Sequence, residues 1–134
     1  MQVLTPQRGG EIGCGELNRR LREQLNPPAP HKQEILVSGQ KRTIRVGDRV
    51  MMTRNDYDLK VMNGQIGMVA EVEPPDPVVQ SIKGHVLVIF EGGQYVRFAP
   101  KQLKNLQLAY AITVHKSQGS EWPVVIIPVS TSHA

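Results

Sequence analysis

The residues best suited to chemistry in this chain stand close together: Thr113, His115, Lys116, Gln118, Gly119 and Glu121. A hydroxyl, an imidazole and an ammonium in quick succession supply donors to a phosphate backbone without reading a base. Gly119 permits a close approach or a positive φ. The Glu121 carboxylate accepts from sugar hydroxyls. Taken alone, His115 and Lys116 also fit an ordinary solvated surface pair. Ser117 and His115 lie too close in sequence to be read as members of a nucleophilic triad.

The elements around this stretch must hold it. Residues 109–116 carry apolar side chains near the 3.6 spacing and predict a helix-like run. After Trp122-Pro123 comes Val124-Val125-Ile126-Ile127, a β-branched run expected of a strand buried on both faces. Helix, polar hinge and buried strand indicate an α/β layer with chemistry on its connection. Spacing alone describes an ordinary helix-to-strand loop equally well.

The string T-V-H-K-S-Q-G-S-E-W-P with its apolar strand resembles motif V of superfamily-1 helicases, in the RecD-like branch. The resemblance implies a position in a second RecA-like domain, with single-stranded DNA on one side and ATP on the other. It further implies that Thr113, His115 and Lys116 meet the DNA backbone. Gln118 and Gly119 would then lie near the nucleotide phosphates, with Glu121 on the ribose.

Upstream, Val3-Leu4 predicts a short strand ending at Pro6, like an entry into a larger fold. Arg8 follows where a sheet presents its carboxyl end, the usual ligand edge of α/β folds. By resemblance it corresponds to the motif IV arginine near the γ-phosphate; a solvent arginine is the alternative. Four glycines lie within residues 9–15. Residues 15–25 then predict a helix with Leu17, Leu21 and Leu25 on its core face. Glu16–Arg20 and Arg19–Glu23 are its expected i,i+4 pairs. Asn26-Pro27-Pro28-Ala29-Pro30 ends it, because proline removes amide donors and restrains the preceding residue.

From Thr43 the texture changes to short strands and turns. Asn63-Gly64 predicts a hairpin turn with both residues at positive φ, and Gly92-Gly93 predicts another. Strands of this length and spacing indicate a small antiparallel barrel. G-D-R-V from Gly47 and N-G-x-x-G-x-V from Asn63 resemble an SH3-like or KOW-like module. RecD-like helicases carry such a barrel between motifs IV and V. The expected fold is therefore α/β plus β. A partial RecA-like layer (the second motor domain of a P-loop NTPase) covers 1–30 and 101–134. A small SH3-like antiparallel β-barrel is inserted over about 40–100. Arg45, Arg49, Arg54 and Lys60 make the barrel locally basic, against Asp56 and Asp58. Arg54, Asn55 and Tyr57 form a loop suited to salt-sensitive contact with DNA, with Tyr57 available to stack on a base.

A formal charge of +4 fits a nucleic-acid partner. Hydrophobic residues at 40% with only 4% aromatic predict an aliphatic core. Cys14 stands alone, which excludes an internal disulfide and zinc-type cysteine spacing. His31 reads as solvated, His85 and His133 suggest no ligand cluster, and no metal site is expected. No apolar run reaches membrane length, so a cytoplasmic protein without a membrane partner is the expectation.

No glycine precedes a Lys-Ser/Thr pair in the G-x-x-x-x-G-K-[ST] frame. The resemblance thus implies a fragment of an ATP-dependent 5′–3′ DNA helicase of recombination and repair. Its parent would use ATP and Mg2+, while the fragment alone would hold neither tightly and be inactive. Expected partners are single-stranded DNA and the first RecA-like domain of the parent chain. Self-association through apolar surface on the 124–127 strand is also expected. The alternative is a free-standing SH3-like or KOW-like module that binds nucleic acid or protein.

Overall fold

The computed structural model describes residues 2–5, 14–113 and 124–126. Strand β1 (Gln2–Thr5) and helix α1 (Cys14–Leu25) come first, followed by β2 (Glu34–Leu36), β3 (Thr43–Arg45) and β4 (Arg49–Met52). Then come β5 (Ile66–Glu73), β6 (His85–Phe90), β7 (Tyr95–Phe98) and a 3-10 helix, Pro100–Asn105. The chain closes with β8 (Leu106–Leu108), β9 (Ala111–Thr113) and β10 (Val124–Ile126). These elements divide into two compact units, Met1–Pro27 with Leu108–Ala134, and Pro28–Gln107.

In the first unit β10, β1 and β9 form a parallel sheet in that order. The strand expected at 124–127 is observed over Val124–Ile126. The helix expected over 109–116 is not: residues 111–113 form β9, with Val3 beside Ala111 and Thr5 beside Thr113. Ala109, Tyr110, Ala111 and Ile112 are all buried. A short, uniformly apolar run satisfies either periodicity, and pairing with β1 decides it in favour of a strand. Residues 114–116 lie outside the described residues.

Helix α1 stops at Leu25, before the Asn26-Pro27-Pro28 run, as the prolines require. Its leucine stripe is not its buried face. Leu17 and Leu21 are half-buried and Leu25 is 65% exposed, whereas Asn18, Arg22 and Asn26 are buried. The helix packs on β9, whose edge away from β1 carries backbone polar groups, so a polar ridge serves there better than leucine. Glu16 binds Arg20 at 3.1 Å and also takes Arg19, which turns back a turn rather than forward to Glu23. The Arg19 hydrogen bond holds the Glu16 carboxyl below its ordinary range.

The second unit contains a five-stranded sheet, β7-β6-β5-β4-β8, and a two-stranded ribbon, β2-β3. The β4–β5, β5–β6 and β6–β7 pairs are antiparallel. Alternation is clean where one face is buried: Val86, Val88 and Phe90 point inward along β6, and Val96 and Phe98 along β7. They join Ile35, Val37, Ile44 and Leu106 in a mainly aliphatic core. Two rings meet there, Phe90 and Phe98, with centroids 6.1 Å apart.

The expected hairpin between β6 and β7 is present, with Gly92 and Gly93 both at φ 92°. At the other expected turn only Gly64 takes a positive φ, 94°. The Gln65 N–H donates to Met62 O at 3.1 Å, so residues 62–65 form a type II-like turn with glycine at its third position. Register in β5 shifts between Val69 and Glu71, a bulge that leaves Ala70 and Glu71 both facing solvent. Beyond β5, the Asp76 carboxylate accepts from the Val78 and Val79 N–H groups at 2.8 and 2.9 Å. Those two bonds hold its carboxyl below the usual aspartate range.

Candidate nucleic-acid interface

In the first unit, strands β1 and β9 run parallel with Thr5 level with Thr113. Both strands therefore end at one carboxyl edge, where α/β sheets bind their ligands. The chain continues from Thr5 toward Arg8, and from Thr113 toward His115, Lys116, Gln118, Gly119 and Glu121. Those six residues lie outside the described residues, and Thr113 is described only as the last residue of β9. Thr113 thus leaves a strand end, not the helix end that periodicity suggested.

In the second unit the 53–65 loop is a braced projection. Asp56 and Val61 exchange backbone bonds at 2.7 and 3.0 Å, and the Leu59 N–H donates to Asp56 Oδ1 at 2.9 Å. Val61 is fully buried and Leu59 packs against the core, so the loop is nailed down from inside. Lys60 takes a left-handed φ of 61°, and its carbonyl accepts from the Gln94 side chain at 2.9 Å. The Asn63 N–H donates to Asn55 Oδ1 at 2.8 Å. This frame displays Arg54 and Asn55 to solvent and Tyr57 at 74% exposure. An exposed aromatic on a hydrogen-bonded loop can stack on a base without first being ordered.

Sequence reasoning set His85 aside, yet strand pairing brings two carboxylates to it. Among the described residues, Glu71, Glu73 and His85 are the group with metal-ligand chemistry. Glu73 lies directly across from His85, and the bulge at Ala70 turns Glu71 to the same face. The imidazole, however, gives a different nitrogen to each acid: Nε2 to Glu71 at 3.1 Å and Nδ1 to Glu73 at 3.5 Å. That is the geometry of a cross-strand polar cluster. The signal legible in the sequence was the i,i+2 spacing of the glutamates on one strand.

The family described as the ATP-dependent RecD-like DNA helicase SH3 domain matches residues 17–90. The chain belongs to this RecD-like helicase family. A second family, the UvrD-like helicase C-terminal domain, matches residues 108–134. The ATP-dependent RecD2 DNA helicase of Deinococcus radiodurans is 37% identical over 99% of this chain, which spans 16% of that relative. The RecBCD enzyme subunit RecD of Buchnera aphidicola from Acyrthosiphon pisum is 31% identical over 98% of the chain and 21% of the relative. The chain therefore corresponds to about a fifth or less of these relatives' length. Among solved structures, Bacteroides Pif1 bound to single-stranded DNA aligns with a TM-score of 0.59 at 18% identity, over 93% of this chain and 34% of that one. Bacteroides Pif1 helicase with ADP-AlF3 and single-stranded DNA aligns at 0.60 and 20% identity, over 96% and 34%. At that identity the likeness is one of fold alone.

Proposed function

We propose that this chain is a segment of the second motor domain of an ATP-dependent DNA helicase, where it joins a nucleotide site to a grip on single-stranded DNA. The observation that carries this reading is the parallel register of β1 and β9, with Thr5 and Thr113 ending level at one sheet edge. The donor-rich run from Thr113 starts at the edge where such sheets bind ligands. Membership of the RecD-like family supports the same conclusion.

In this proposal Thr113, His115 and Lys116 hold the DNA backbone, a sequence-independent contact. Arg8, Gln118, Gly119 and Glu121 face the nucleotide. An arginine, an amide, a glycine backbone and a carboxylate suit the phosphates and sugar of ATP. They lack the hydroxyl and carboxylate pair that holds Mg2+, which we assign to the first RecA-like domain of the parent chain. The RecA-like layer, expected over 1–30 and 101–134, is the first unit, residues 1–27 with 108–134. The sheet-rich unit, expected over about 40–100, is the inserted SH3-like barrel, with Arg54, Asn55 and Tyr57 touching the emerging strand. Translocation is 5′ to 3′, in the cytoplasm. This segment alone does not hydrolyse ATP, having no phosphate-cradling loop.

The test is made in the parent protein. Gln118→Ala and Glu121→Ala lower ATP turnover more than DNA affinity, whereas Thr113→Val and His115→Ala weaken DNA binding first. Four variants that all behave like neutral surface changes would overturn the reading.

A further inference from the structure

We propose that Asn18 is the positioning residue for the segment that begins at Thr113. Its side-chain amide adds one more peptide-like unit to the edge of β9 away from β1 and so sets where that strand lies. The inference rests on the function proposed for residues 113–121 and adds to it the contact that fixes the strand from which they continue.

Two hydrogen bonds carry the argument. Asn18 Nδ2 donates to the Ala111 carbonyl at 2.8 Å, and the Ala111 N–H donates to Asn18 Oδ1 at 2.7 Å. Both are buried and join residues 93 positions apart. In the sheet, among the described residues, β9 has β1 on one side and no strand on the other. Successive residues of a strand turn their backbone groups to opposite edges, and those of Ala111 meet Asn18. Ala111 is fully buried, so water cannot take over the task.

A primary amide presents a C=O and an N–H together, the pattern a neighbouring strand would offer. Leucine offers neither group, serine has a single oxygen on a shorter arm, and aspartate lacks the donor until it is protonated. Asn18 lies on α1, beside Arg22 and Asn26 on the same buried ridge. The strand is thus tied to β1 on one edge and to α1 on the other, and a slip along its axis breaks both. Thr113 follows Ala111 by two residues, so its position is set through this clamp.

Three measurements test the proposal. In the parent helicase, Asn18→Leu lowers the stimulation of ATP turnover by single-stranded DNA at least about tenfold, the scale set by an orphaned buried amide. Asn18→Asp recovers stimulation, relative to the unsubstituted protein, as pH falls, because protonation restores the donor; burial raises that carboxyl, against Arg22 one turn on, which lowers it. Asn18→Leu shows no such recovery. A purely structural role would lower the melting temperature while leaving the stimulation ratio intact well below it, and that result overturns the proposal. In the present chain, Asn18→Leu speeds hydrogen exchange at the Ala111 amide at least about tenfold. Unchanged exchange refutes the clamp whatever the parent does. A parent protein without DNA-stimulated turnover refutes the helicase reading alone.

Discussion

Replacing Gly67 with alanine tests whether the sheet-rich unit is built as described. Gly67 sits in β5 opposite Phe90 of β6 and is buried. A Cβ at this position would lie 2.7 Å from the Ile89 carbonyl oxygen, 2.7 Å from Val88 Cγ1 and 3.0 Å from Phe90 Cα. Ordinary contact begins near 3.4 Å, so the first approach is short by about 0.7 Å. The offending atom is backbone, held in a ladder on both sides, so relief requires β5 and β6 to separate. Overpacking of this kind costs about 1–3 kcal/mol, and a rigid neighbour puts it near the upper end. Alanine returns about 0.4–1 kcal/mol by restricting the unfolded chain. The net loss is about 2 kcal/mol. With a urea slope of about 1–2 kcal/mol/M, the midpoint of the transition, followed by far-UV circular dichroism, falls by about 1–2 M. Gly15→Ala is the control: it lies in α1 with nothing within 4 Å of the added carbon, and its stability stays equal or rises slightly. A Gly67→Ala midpoint within about 0.3 M of the original would show that the strands do not approach as described.

Further expectations concern other parts of the chain. Asp48 is fully buried and accepts the Arg45 N–H at 2.8 Å; Asp48→Ala should lose about 1–3 kcal/mol in the same urea assay, and Asp48→Asn less, because it keeps the acceptor. Tyr57→Ala should leave the melting temperature unchanged, since the ring is 74% exposed, yet weaken oligo-dT binding by the parent about tenfold in fluorescence anisotropy. Equal affinity would remove this loop from the DNA path. The Asp76 carboxyl is lowered by its Val79 and Val78 backbone bonds, so the cap is intact above the unfolded carboxyl's range and is lost as pH falls through the lowered folded value. An NMR pH titration should show the Val78 and Val79 amides moving together below the ordinary aspartate range, and staying flat in Asp76→Asn.

Much of the sheet-rich unit was legible because its signals are local. Gly92-Gly93 can adopt dihedrals that other residues avoid, and it does so. The alternation of Val86, Val88 and Phe90 marks an inner face whatever lies beyond it. Prolines 27 and 28 end α1 by removing donors that any helix would need. Family resemblance, too, was readable from short ordered strings, and the matched regions cover both of them.

Other features were decided between distant parts of the chain. Residues 111–113 satisfy helix and strand patterns alike until β1 pairs with them. Leu17, Leu21 and Leu25 look like a core stripe, but what α1 meets is a strand edge with backbone groups to satisfy, so Asn18 turns inward instead. The bulge at Ala70 depends on the register of β6, and with it the meeting of Glu71 with His85. Lys60 accepts a left-handed backbone because Val61 is drawn into the core and Gln94 binds its carbonyl. Amino-acid order by itself determined turns, helix ends and inward-facing positions, since these follow from each residue's own dihedral limits and hydropathy. Only the tertiary structure decided which backbone groups would find partners, because a hydrogen bond across 93 residues leaves no trace in local spacing.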